Sequence, residues 1–167
     1  MKKIVFFSVI FSLVLCLIDT AIISHISFLK FRPALVLLLV IFVAAYNGSL
    51  AGTIAGFFAG LILDFLSLAP LGLHSAVFVI ISFTVGKLHG QYNLSRIFVP
   101  AVLAFLACMA QSLLLYLFRF IFGSNIIVPG YQTIDFWIGL ALTVVCAPLM
   151  FAVFNLFPSL LKTRDIL

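Results

Sequence analysis

Residues 52–73 read GTIAGFFAGLILDFLSLAPLGL, and this stretch decides how the rest of the chain is read. Gly52, Gly56 and Gly60 recur at a spacing of four, and Asp64 stands one step further at the same spacing. On a helix these four positions form one stripe. Glycine on such a stripe lets a neighbouring helix approach backbone to backbone, the usual means of close packing in lipid. A carboxyl group at the end of the stripe is costly in a membrane unless it faces protein or a cavity. Pro70 and Gly72 then end the helix.

The surroundings make lipid the solvent. The 167-residue chain is 66% hydrophobic and only 8% charged, against about 25% charged in a soluble domain. The apolar runs are continuous, without the alternation of a transmembrane barrel. The reading is an all-α polytopic membrane protein, one integral domain over residues 1–167. Six spans are expected at about 4–23, 33–46, 50–68, 72–87, 98–122 and 134–157. The second run is short for a span, which needs roughly 20 residues. Asn47-Gly48-Ser49 is a tight-turn signal, so runs two and three should form a hairpin.

The net charge of +5 does not point to nucleic acid, because the basic residues stand at the ends of apolar runs. With the N-terminus inside, Lys2, Lys3, Lys87, Arg96, Lys162 and Arg164 fall on the inner side. Lys30, Arg32 and Arg119 fall on the outer side. That asymmetry predicts both termini in the cytoplasm. Cys16, Cys108 and Cys146 lie inside apolar runs and read as packing residues, not a metal site or disulfide frame. The chain has no glutamate, and its four acidic residues are scattered aspartates. No paired-carboxylate, HExxH, CxxC or GxSxG pattern calls for an enzyme, a cofactor or a metal.

One ion pair is expected from arithmetic on the hairpin. Arg32 lies 16 residues before Gly48 and Asp64 lies 16 after it. At 1.5 Å per residue both sit about 24 Å from the turn, at one height on antiparallel neighbours. His74 reads as an interfacial histidine at the start of a helix.

Phe31-Arg32-Pro33 before an apolar run, then Gly52, Gly56, Gly60 and Asp64 at their fixed spacing, then Pro70-Leu71-Gly72, resembles the rod shape-determining protein MreD family. The likeness is strongest from Phe31 to Leu88. It implies a non-enzymatic subunit of the bacterial elongation machinery in the cytoplasmic membrane. The implied partners are MreC and, through it, the actin-like MreB filament, RodA and a class B penicillin-binding protein, together with the lipid bilayer itself. It also implies a helix arrangement similar to the S component of energy-coupling-factor transporters. A vitamin-binding transporter subunit is therefore the alternative function. The residues expected at a structural or partner interface are Arg32, Pro33, Gly52, Gly56, Gly60, Asp64, Pro70 and Gly72.

Overall fold

A computed structural model gives the architecture. The structure describes residues 2–25, 34–67, 70–90, 98–122, 134–156 and 161. Arg32 and Pro33, the loops at 91–97 and 123–133, and the basic tail with Lys162 and Arg164 lie outside the described residues. The described chain is all-helical, with five helices: α1 (Lys2–His25), α2 (Leu35–Leu66), α3 (Leu73–Lys87), α4 (Phe98–Phe122) and α5 (Ile134–Asn155).

Five helices stand where six spans were expected, and the difference lies at Gly48. The backbone there has φ 82° and ψ −179°, in the middle of α2. Only glycine adopts that region without strain. A Cβ placed on Gly52 would lie 2.6 Å from Ala44 Cβ. In a straight helix residues eight apart are separated by about 12 Å. The two arms of α2 therefore fold back on each other, and the turn is so tight that runs two and three form one element. By length and composition three helical stretches could cross a membrane: Leu35–Leu66, Phe98–Ile121 and Phe136–Asn155. Ile4–Asp19 and Leu73–Lys87 are shorter apolar helices.

The first arm of α2 is the centre of the molecule. Every residue from Val36 to Tyr46 is buried, as expected of a helix that is apolar on all sides and wrapped in protein. Around α2 as a whole pack α1, α3, α4 and α5, and its second arm folds back on the first at Gly52. The outer helices bury one stripe each. In α1 the stripe is Ile4, Ser8, Ser12, Leu15 and Cys16, while Phe6, Ile10, Leu13 and Leu17 face outward. The buried Ser8 donates to the Ile4 carbonyl at 2.7 Å, so its hydroxyl costs little in an apolar setting. In α5 the inward residues are Leu140, Thr143, Ala147, Phe151 and Phe154. Thr143 Oγ1 accepts the Ala34 N–H at 3.2 Å, satisfying a donor at the entry to α2.

Aromatic rings fix the levels of the helices. Phe42 meets Phe151 at 5.2 Å and Phe154 at 5.3 Å between ring centres. Phe11 of α1 meets Phe154 at 6.5 Å. The N-terminus of α1, the Gly48 turn and the C-terminus of α5 therefore lie at one end of the bundle.

Candidate functional site

The second arm of α2 and α3 are clamped together by their backbones. A Cβ on Gly60 would lie 2.5 Å from both Ser75 Cα and Ser75 N. On Gly56 it would lie 2.9 Å from Ser82 Oγ and 3.0 Å from the Phe78 carbonyl oxygen. On Gly86 it would lie 2.4 Å from Ser49 Cα. The three contacts run in opposite chain directions, so the pair is antiparallel along its whole length. The glycine stripe thus divides: Gly52 faces the first arm at Ala44, and Gly56 and Gly60 face α3.

Asp64 ends the stripe, one turn beyond Gly60, and is 1% exposed. All its described partners belong to the start of α3. Oδ2 accepts the Gly72 N–H at 2.9 Å and the Ser75 N–H at 3.3 Å. Oδ1 accepts the His74 N–H at 3.0 Å. The Ser75 hydroxyl donates to Oδ2 at 3.3 Å, and His74 Nδ1 lies 2.7 Å from Oδ1.

A carboxyl group here solves two problems together. The first turn of any helix leaves N–H groups without intrahelical acceptors, and Gly72, at the N-cap of α3, has no side chain to offer them. Asp64 supplies the missing acceptor from the preceding helix. Its own buried oxygens are satisfied in return. Asp64 also sits in the last turn of α2, where the helix dipole disfavours it by about 0.3–1 kcal/mol. Hydrogen bonds to a charged group contribute about 1.5–3 kcal/mol each, so the α3 side decides the balance.

The connection is built to bring the two helix ends together. The Ser67 N–H donates to the Leu63 carbonyl at 2.9 Å and closes α2. Pro70 is exposed, and its carbonyl accepts the Leu73 N–H at 3.2 Å. Gly72 has φ 94°, a left-handed conformation that turns its own N–H toward Asp64.

A second set of contacts closes the opposite end. His89 Nδ1 lies 2.7 Å from the Ala45 carbonyl, one of the open acceptors where the first arm ends. Asn47 Nδ2 donates to the Leu161 carbonyl at 2.7 Å and to the Val43 carbonyl at 3.1 Å. Leu161 itself is fully buried. Sequence reasoning missed all of these, as it missed His74 as the partner of Asp64. The available signal for His74 was only its place in the first turn after the Pro70-Gly72 reversal.

Of the residues expected at the interface, the structure brings Gly56, Gly60, Asp64 and Gly72 into one α2–α3 contact. It sets Gly52 against the first arm and leaves Pro70 on the surface. Arg32, expected beside Asp64, lies outside the described residues, as does Pro33. Among the described residues no group of three or more His, Cys, Asp or Glu side chains could hold a metal ion.

The family model described as rod shape-determining protein MreD matches residues 1–158. No curated protein and no solved structure matches the chain.

Proposed function

Because this chain belongs to the rod shape-determining MreD family, we propose that it is a non-enzymatic membrane scaffold of the bacterial machinery that elongates the peptidoglycan wall. The family belongs to the shape-determining system with MreC, and MreC is the partner that we assign to this chain. MreB, RodA and a class B penicillin-binding protein are reached through it. The observation that supports a scaffold is the α2–α3 clamp. Backbone contacts at Gly56, Gly60 and Gly86, with Asp64 capping α3, hold two helices at one fixed spacing. A rigid face is what a platform for partner helices needs, because nothing of the binding free energy is then lost to ordering it.

The chain is an integral membrane protein, and in this reading it crosses the cytoplasmic membrane six times, each arm of α2 counting as one crossing. The end with Lys2, Lys3 and Lys87 faces the cytoplasm, and the Asp64 end faces out. Depletion in a rod-shaped host tests the role. Cells should become round and swollen with nutrient uptake unchanged. Cells that keep their shape and need a vitamin supplement would overturn the reading in favour of a transporter subunit.

A further inference from the structure

Leu161 is fully buried, although it lies six residues beyond the last residue of α5. Its seat is at the Gly48 end of the bundle, where Asn47 Nδ2 donates to the Leu161 carbonyl at 2.7 Å. The same amide reaches the Val43 carbonyl at 3.1 Å, near the end of the first arm. Among the described residues this is the one polar tie on Leu161. In sequence the next residues are Lys162, Thr163, Arg164 and Asp165, whose charges favour water. The described anchor is thus one leucine side chain and one hydrogen bond.

A second feature works against the anchor. Asn155 ends α5, and its Oδ1 is buried without a hydrogen-bond partner, the one such side-chain atom among the described residues. Turning the amide over would put its N–H group in the same place and leave that group unpaired. A sealed polar group with no partner disfavours the arrangement that seals it. Burial of Leu161 favours that arrangement, so the two residues pull in opposite directions.

We propose that the segment after α5 is a two-state strap, closed when Leu161 is seated and opposed by the sealed Asn155 oxygen, which gains water when the strap lifts. The structure shows the closed state. Lifting leaves an apolar seat beside the Gly48 turn with the Asn47 amide at its rim. The strap is a property of this chain's own fold and is independent of the shape-determining role.

The test uses the full chain in detergent and measures trypsin cleavage after Lys162, read by intact mass as loss of residues 163–167. Cleavage follows the open fraction when the strap recloses faster than the protease cuts. Asn47→Ala should speed cleavage about fivefold, and Leu161→Ala by about thirtyfold or more. Asn155→Leu replaces the unpaired amide by an apolar group of similar volume and should slow cleavage about fivefold or more. Asn155→Ala carries the same comparison if the leucine variant does not fold. Cleavage after Arg96 is the control and should not change. Unchanged or faster cleavage after Lys162 in the Asn155 variants would overturn the proposal. So would equal rates for wild type and Leu161→Ala. Equal acceleration after Lys162 and Arg96 in Asn47→Ala would also overturn it, because the whole bundle and not the strap would then be opening.

Discussion

Asp64 Oδ1 and His74 Nδ1 lie 2.7 Å apart, on opposite sides of the turn that joins α2 to α3. With the Gly72, His74 and Ser75 N–H groups on the same carboxyl, they make the end of one helix the cap of the next. The exposed side of the pair is His74, whose side chain is 17% accessible, against 0% for Asp64.

Asp64→Ala removes the acceptor for three backbone N–H groups and the Ser75 hydroxyl. An unsatisfied buried donor costs about 1–3 kcal/mol, so the variant should lose about 3–5 kcal/mol of stability. Asp64→Asn keeps one acceptor oxygen and should lose roughly half as much. His74→Ala should cost about 1–2 kcal/mol, and the Asp64→Ala, His74→Ala pair should be less than additive. Thermal unfolding of the purified chain in detergent provides the values. Strictly additive losses would show that the pair is not coupled.

The glycines should rank by what faces them. Gly60→Ala puts a methyl group against the backbone of Ser75, which cannot turn aside. Overpacking of that kind costs about 1–3 kcal/mol. Gly56→Ala meets the Ser82 hydroxyl, which can rotate, and the Phe78 carbonyl, which cannot, so its cost should be smaller. Gly56→Leu should part the helices and lower abundance in the membrane. Equal abundance of Gly56→Leu and wild type in membrane fractions would rule out the tight contact.

Orientation can be read with single cysteines in a chain lacking Cys16, Cys108 and Cys146. Leu71 is 68% exposed at the Asp64 end, and Leu88 is 37% exposed at the Gly48 end. With the orientation proposed above, Leu71→Cys in intact cells should react with an impermeant thiol reagent. Leu88→Cys should react only after the membrane is opened. The reverse pattern would invert the chain.

Asn47→Ala breaks the bond to the Leu161 carbonyl and should cost about 1 kcal/mol. Leu161→Ala empties a fully buried site and should cost about 2–5 kcal/mol. In both variants hydrogen exchange should rise around residue 161 before it rises in α3. Unchanged exchange there would mean that the contact is not a tie.

Much of the hairpin could be read beforehand. Asn47-Gly48-Ser49 gives the turn, the spacing of four gives the glycine stripe, and Pro70 with Gly72 gives the end of the helix. The helix from Phe98 to Phe122 has the expected bounds, while α2 ends at Leu66 and α5 at Asn155, two residues before the expected limits. The α3 partners of Asp64 were not legible, for a geometric reason. Equal height along a hairpin nominates Arg32, but it says nothing of a third helix whose free N–H groups begin at that same height. The place of Val36–Tyr46 was hidden for a different reason. In lipid, apolar character marks a residue as membrane-embedded without telling whether lipid or protein covers it. The short length of that run, marginal for a span, belongs to an arm that is buried along its whole length.

That central arm has a consequence for how the chain is made. Synthesis delivers Val36–Tyr46 after α1 alone, while the second arm, α3, α4 and α5 are still to come. Phe42 waits long for two of its neighbours, because Phe151 and Phe154 arrive more than 100 residues later. The segment that ends in the interior must therefore first be held by lipid or by the insertion apparatus, and then be enclosed. A ribosome stalled before α5 would leave one side of the arm open, and such a chain is the species on which membrane quality control would act.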